Sequence, residues 1–110
     1  MRKVIYKYSI SHKDAPELLA TPPGEPFRMK MVKGAEILSV QAQAEISEQG
    51  IPQATGKIWA MCDPAEKEMV ERRFVLIETG KEFDYADRQY IGTYQLYGGE
   101  IVLHLFEVVQ

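Results

Sequence analysis

The chain has no asparagine, a single cysteine (Cys62), a single tryptophan (Trp59) and only two histidines, His12 and His104, in 110 residues. Each shortage excludes something. Without asparagine there is no N-glycosylation acceptor. A lone Cys62 forms no internal disulfide, which fits a reducing compartment. No apolar run approaches the roughly 18 residues needed to span a bilayer. The opening MRKVIYKYSI is basic, but lysine breaks its apolar stretch and no small-residue cleavage site follows, so no signal peptide is expected. These absences point to the cytoplasm.

What is present has an ordinary globular balance, 45% hydrophobic and 26% charged. That length and balance predict one domain over 1–110 with one modest core. The net charge of −3 argues against a general nucleic-acid binder. Basic residues concentrate at the start: residues 1–33 hold seven Lys/Arg, Arg28 and Lys30 among them, against three acids. Neighbouring elements that neutralise one another are the plain explanation; a basic patch for an acidic partner is the sharper one.

Apolar and polar residues alternate with period two along much of the chain. Val4, Tyr6, Tyr8 and Ile10 form one row, Phe27, Met29 and Met31 another, and Leu38, Val40, Ala42, Ala44 and Ile46 a third. Further strands read at 56–62 and 72–79. Trp59 is expected to anchor the core, on a strand covered on both faces and so central in its sheet. Lys33-Gly34 predicts a tight turn, and Gly50-Ile51-Pro52 the tip of a protruding hairpin over 44–57. Asp63-Pro64-Ala65-Glu66 has helix-start chemistry, so at most one short helix is expected, near 64–71. The prolines of TPPGEP (21–26) exclude helix or central strand there.

Residues 89–108 are the most informative stretch. Two strand-like runs meet at Gly98-Gly99, which suits a hairpin turn with φ > 0. The implied register sets Leu96 against Ile101, Tyr94 against Leu103, and Thr93 against His104. Leu96, Ile101, Tyr94, Leu103 and Leu105 then share one apolar face. Gln95, Thr93 and His104 share the other with Ile91, Val102 and Phe106, a half-polar face suited to solvent, a ligand or another subunit. The fold expectation is all-β: a compact antiparallel β-sandwich or partly closed barrel of about seven strands.

No catalytic constellation emerges. GIPQATGK (50–57) fails as a phosphate loop, because its glycine spacing is wrong and Ile58 stands where Ser or Thr is needed. His104 has no Cys or carboxylate placed beside it by sequence, so it reads as a hydrogen-bonded structural histidine rather than a metal ligand or base. His12 is given no role. Cys62 reads as core filler. Glu82, Asp84 and Asp87 match no calcium loop. Phe83 and Tyr85 in that acidic loop either pin it to the core or face a partner. Neither cofactor nor metal is expected.

The order GAEILSVQAQ (34–43), KIWAMCDP (57–64), RRFVLIETGKEFD (72–84) and YIGTYQLYGGEIVLHLFE (90–107) resembles an uncharacterised family of small phage and prophage proteins. Tyr6-Lys7-Tyr8 fits its first strand, and the sequence departs from it by an insertion within 44–56. The resemblance implies a phage-encoded protein in a bacterial cytoplasm and carries no catalytic residue.

The functional expectation is a non-enzymatic, homo-oligomeric interaction module that engages a host or phage protein, with no membrane partner. Its candidate surface comprises His104, Thr93, Gln95, Tyr85, Phe83, Arg28 and Lys30. The alternative is a sequestering protein for a small anionic ligand, such as a signalling nucleotide, bound at a subunit boundary.

Overall fold

The computed structural model describes residues 1–10, 25–46 and 48–109; His12 and residues 21–24 lie outside them. Seven strands appear: β1 (Val4–Ile10), β2 (Phe27–Val32), β3 (Glu36–Ile46), β4 (Pro52–Cys62), β5 (Met69–Glu78), β6 (Arg88–Leu96) and β7 (Ile101–Val108). They form two antiparallel sheets, β1-β4-β3 and β2-β5-β7-β6. The fold is an all-β sandwich without barrel closure. No helix among the described residues is long and apolar enough to cross a membrane.

The core follows from the inward rows. Sheet one contributes Ile10, Val40, Ile58, Ala60 and Cys62; sheet two contributes Met31, Phe74, Tyr94, Leu96, Leu103 and Leu105. As expected, β4 is central in its sheet. In the other sheet β7 lies between β5 and β6, so its apolar run is paired at both edges. The β6–β7 register is Leu96↔Ile101, Tyr94↔Leu103 and Thr93↔His104. The turn closes with Glu100 N–H donating to the Tyr97 carbonyl, and Gly98 and Gly99 both have positive φ, 67° and 94°. Side chains rarely tolerate that backbone, which is why two glycines stand there.

The sheets meet along one side, where β3 passes β6. A Cβ on Gly92 would lie 2.8 Å from Val40 Cγ1, so β6 reaches β3 only because position 92 has no side chain. Gly56 plays the same part beneath Tyr94, whose ring carbon Cζ would stand 2.7 Å from a Cβ there. Elsewhere Tyr8 joins the sheets: its hydroxyl accepts from Val32 N–H at 3.2 Å. On the inner face, Arg72 donates to both carboxylate oxygens of Glu107 (2.5 and 2.7 Å) and to the Ala35 carbonyl, tying β5 and β7 to the β2–β3 turn.

No helix forms over 64–71, within the expectation of at most one, while three other expectations are corrected. Asp63 does cap as expected, its carboxylate accepting from Ala65 N–H at 2.9 Å, but the chain makes one turn and extends. Lys33 N–H takes the Glu68 carbonyl, and β5 begins at Met69, which leaves too few residues for a helix. Trp59 is not in the core. It lies half-buried on the outer face of the first sheet, under Lys7 Nζ at 5.5 Å from the ring centroid. Leu38 is the extra residue of a bulge between Ile37 and Ser39, and is 48% exposed. Beyond it only Val40 is buried; Ala42, Ala44 and Ile46 are exposed.

Candidate functional site

The outer face of the second sheet is where the sequence-named residues gather. Residues directly opposite in an antiparallel ladder share a face. Ile77↔His104 and Thr93↔His104 therefore place these three side chains together, and Val75↔Phe106 and Tyr90↔Phe106 place a second group beside them. Register also puts Gln95 on this face opposite Val102, and Arg28 opposite Arg73.

This face carries a small apolar cluster of its own, Val75, Ile77 and Phe106, all buried, with Phe83 and Val108 packed on them. The 80–88 loop supplies the cover. Phe83 and Tyr85 reach Phe106 at ring centroid distances of 5.1 and 6.1 Å, and Tyr90 reaches it at 5.5 Å. The loop's ends are fixed by Lys81 N–H to the Glu78 carbonyl and Arg88 N–H to the Tyr85 carbonyl. Asp84 caps an internal turn by accepting from Ala86 N–H. Phe83 is thereby pinned, while Tyr85 stays 63% exposed. Of the two outcomes foreseen for aromatics in this loop, pinning occurs at Phe83.

Beside the cluster runs a line of hydroxyls through His104. Its Nε2 lies 2.7 Å from Thr79 Oγ1 and its Nδ1 2.9 Å from Thr93 Oγ1, which in turn lies 2.5 Å from the Tyr90 hydroxyl. In the neutral ring one nitrogen donates to a threonine oxygen and the other accepts from a threonine hydroxyl. Both nitrogens are thus committed, and the imidazole is held as a fixed wall. Next to it opens a cavity of about 290 Å³ lined by Ile77, Glu78, Thr79, Lys81, Phe83, His104 and Phe106. Its floor is aromatic and aliphatic, one wall is His104 with Thr79, and its rim carries one acid and one base.

The remaining candidates lie apart from the cavity. Gln95 turns toward the hairpin tip, its Oε1 3.2 Å from where a Gly99 Cβ would stand. Arg28 and Lys30 share the face but occupy edge strand β2. Two strand spacings and four residues along β5 separate Arg28 from His104, roughly 16 Å. Arg28 also pairs with Glu71 at 3.4 Å. The sequence set His104, Thr93, Gln95 and Phe106 on one face, as the ladder does, while the cavity also takes Thr79 and Ile77, which it had not singled out. Their signal was present in RRFVLIET, whose consecutive apolar residues require cover on both faces of β5. Among the described residues no group of three or more His, Cys, Asp or Glu is placed to hold a metal ion. Cys62 is buried, its thiol directed at the Ala60 carbonyl.

The chain belongs to a family described as a domain of unknown function, DUF7352, whose pattern matches residues 1–110. No curated protein and no solved structure matches it.

Proposed function

We propose that this protein is a non-enzymatic interaction module whose outer sheet face takes a protein partner, seating one apolar or aromatic side chain in the Phe83–Phe106–His104 cavity. The size and lining of that cavity carry the proposal. At about 290 Å³ it falls just below the roughly 300–1,000 Å³ of small-molecule sites. That volume suits one inserted side chain and is small for a nucleotide. An aromatic floor with a fixed polar wall is how interfaces hold an anchor residue. Tyr85, exposed at the lip, supplies amphipathic contact area for the surrounding rim.

The anionic-ligand alternative is weaker on two counts. Arg28 and Lys30 are too distant to join His104 around one small molecule, and Glu78 stands at the cavity rim. Catalysis gains no support, because the bonds of His104 run to Thr79 and Thr93 and no carboxylate stands among them to orient it as a base. In this reading the protein is phage-encoded, works in a bacterial cytoplasm and self-associates.

A photo-crosslinking residue at position 81, on the cavity rim, tests the proposal in lysate of infected cells. One protein should be captured repeatedly, and Phe83→Ala should reduce its capture at least about tenfold, the effect of removing an interface anchor. Capture that ignores Phe83→Ala, or heat from a nucleotide panel in calorimetry, would overturn it.

A further inference from the structure

We infer that the partner seated in the Phe83–Phe106–His104 cavity is an acidic protein segment, whose carboxylates begin about four residues from its apolar anchor and meet a basic strip on the same sheet face. This rests on the proposed function for the position of the anchor and adds the partner's chemistry. Register builds the strip. Arg28 of β2 stands directly opposite Arg73 of β5. Phe74↔Glu107 puts Val108 of β7 beside Arg73, and Val108 stands opposite Arg88 of β6. One row across four strands therefore reads Arg28, Arg73, Val108, Arg88. Two residues along β2, Lys30 stands opposite Glu71, the one acid in these two rows. Glu71 lies 3.4 Å from Arg28, with both side chains at least half exposed. Among the described residues neither Lys30 nor Arg88 forms an ion pair; Arg88 donates instead to the Ala86 carbonyl at 3.1 Å.

Like charges directly opposite on neighbouring strands destabilise a sheet, so the fold bears a cost at Arg28 against Arg73. Edge strands often carry cations that deter pairing, which accounts for Arg28 and Lys30 on β2. It does not account for Arg73, which lies on the interior strand β5. A partner of opposite charge accounts for all four cations together. Spacing then restricts that partner. The cavity residue Ile77 lies four residues along β5 from Arg73, roughly 13 Å. An extended segment laid along the strands advances by the same 3.3 Å or so per residue. With its anchor in the cavity it crosses Tyr85, exposed at the lip, and reaches the arginine row at about its fourth residue and Lys30 two residues later. A nucleic acid fits less well, because Glu71 stands within the strip and Glu78 at the cavity rim.

The probe is a dye-labelled peptide with one phenylalanine and a pair of glutamates beginning four residues to either side of it; its control has glutamine at those positions. Fluorescence anisotropy at about 25 mM salt, where exposed charges are little screened, reads both. The glutamate peptide should bind about tenfold more tightly, the product of a few exposed ion pairs, and lose that advantage at about 500 mM salt. Arg28→Gln combined with Lys30→Gln should weaken the glutamate peptide at least about threefold, leave the glutamine peptide unchanged and hold the urea midpoint. A glutamate peptide that does not bind, or binds the double variant as it binds the parent, would overturn the inference. So would a single-stranded oligonucleotide of equal charge that binds more tightly. Peptides that bind alike, yet both weaken in Phe83→Ala, remove the strip and keep the cavity. A glutamate preference that persists while Phe83→Ala changes nothing removes the cavity and keeps the strip.

Discussion

Replacing Gly92 by alanine tests the contact that closes the sandwich along one side. Gly92 has no positive φ, so its backbone accepts alanine, and lowered unfolded-state entropy alone would stabilise the protein by about 0.4–1 kcal/mol. Space opposes this. The new methyl would stand 2.8 Å from Val40 Cγ1, about 1 Å inside ordinary carbon contact. Val40 is buried and β-branched, so its χ1 yields little, and relief requires an eclipsed rotamer or β3 sliding from β6. Overpacking of this kind costs about 1–3 kcal/mol, and subtracting the entropic gain leaves a net loss of about 1.3 kcal/mol at the midpoints, within a range of about 0–2.6 kcal/mol. Val40→Ala alone should cost about 1–2 kcal/mol in lost burial. In the double variant the methyl introduced at position 92 occupies space that valine vacates, so the losses should fall short of additivity by at least about 1 kcal/mol. Urea unfolding followed by far-UV circular dichroism gives all three numbers. A Gly92→Ala protein more stable than the parent, or single losses that simply add, would refute the close approach of β3 and β6.

Two other perturbations give defined outcomes. Burial raises the Tyr94 phenol well above its usual value, and burial also raises Tyr8. In both cases the folded state holds its proton where the unfolded chain releases it, so their stabilisation is full below about pH 10 and declines as pH climbs past it. The urea midpoint should therefore fall between about pH 9.5 and 11, and Tyr94→Phe should flatten that decline; an equally steep fall in the variant would contradict the assignment. Glu107→Gln leaves the mostly buried Arg72 guanidinium without its carboxylate. It should cost roughly 2–4 kcal/mol at neutral pH, and a change within about 0.5 kcal/mol would show the pair to be dispensable.

The sequence discloses most where period and turn chemistry agree. The terminal hairpin's register and the two faces of β7 are legible because Gly98-Gly99 fixes the phase of the strands on either side, and the central place of β4 because Ile58 and Trp59 lie on its opposite faces. It misleads where the phase slips or the fold stops covering a row. Leu38 belongs by alternation to the inward set, yet one extra residue in β3 turns it outward. Ala42, Ala44 and Ile46 keep the inward phase and still lie exposed, since no local signal says where the opposite sheet ends. Size alone assigns Trp59 to the core, but the smaller Ile58 and Ala60 occupy the crowded interior face of β4 while the indole lies beneath Lys7. At the candidate site, hairpin register pairs His104 with Thr93 as the structure does. Thr79, in the turn just past β5 and distant in sequence, completes the pair, and the β5–β7 ladder brings it there.

The slips at Leu38 and Ile91 lie on the two strands that meet at Val40 and Gly92. In a β-strand, losing one residue ordinarily rotates every side chain beyond it to the wrong side. Here β3 carries a spare: Leu38 is largely exposed, whereas Ile91, set by alternation on the outer face, packs against the core. Excising Leu38 leaves Ile37 facing Ala60 and Ser39 facing Trp59. At this seam β3 could thus shorten by a residue and the interior keep its occupants.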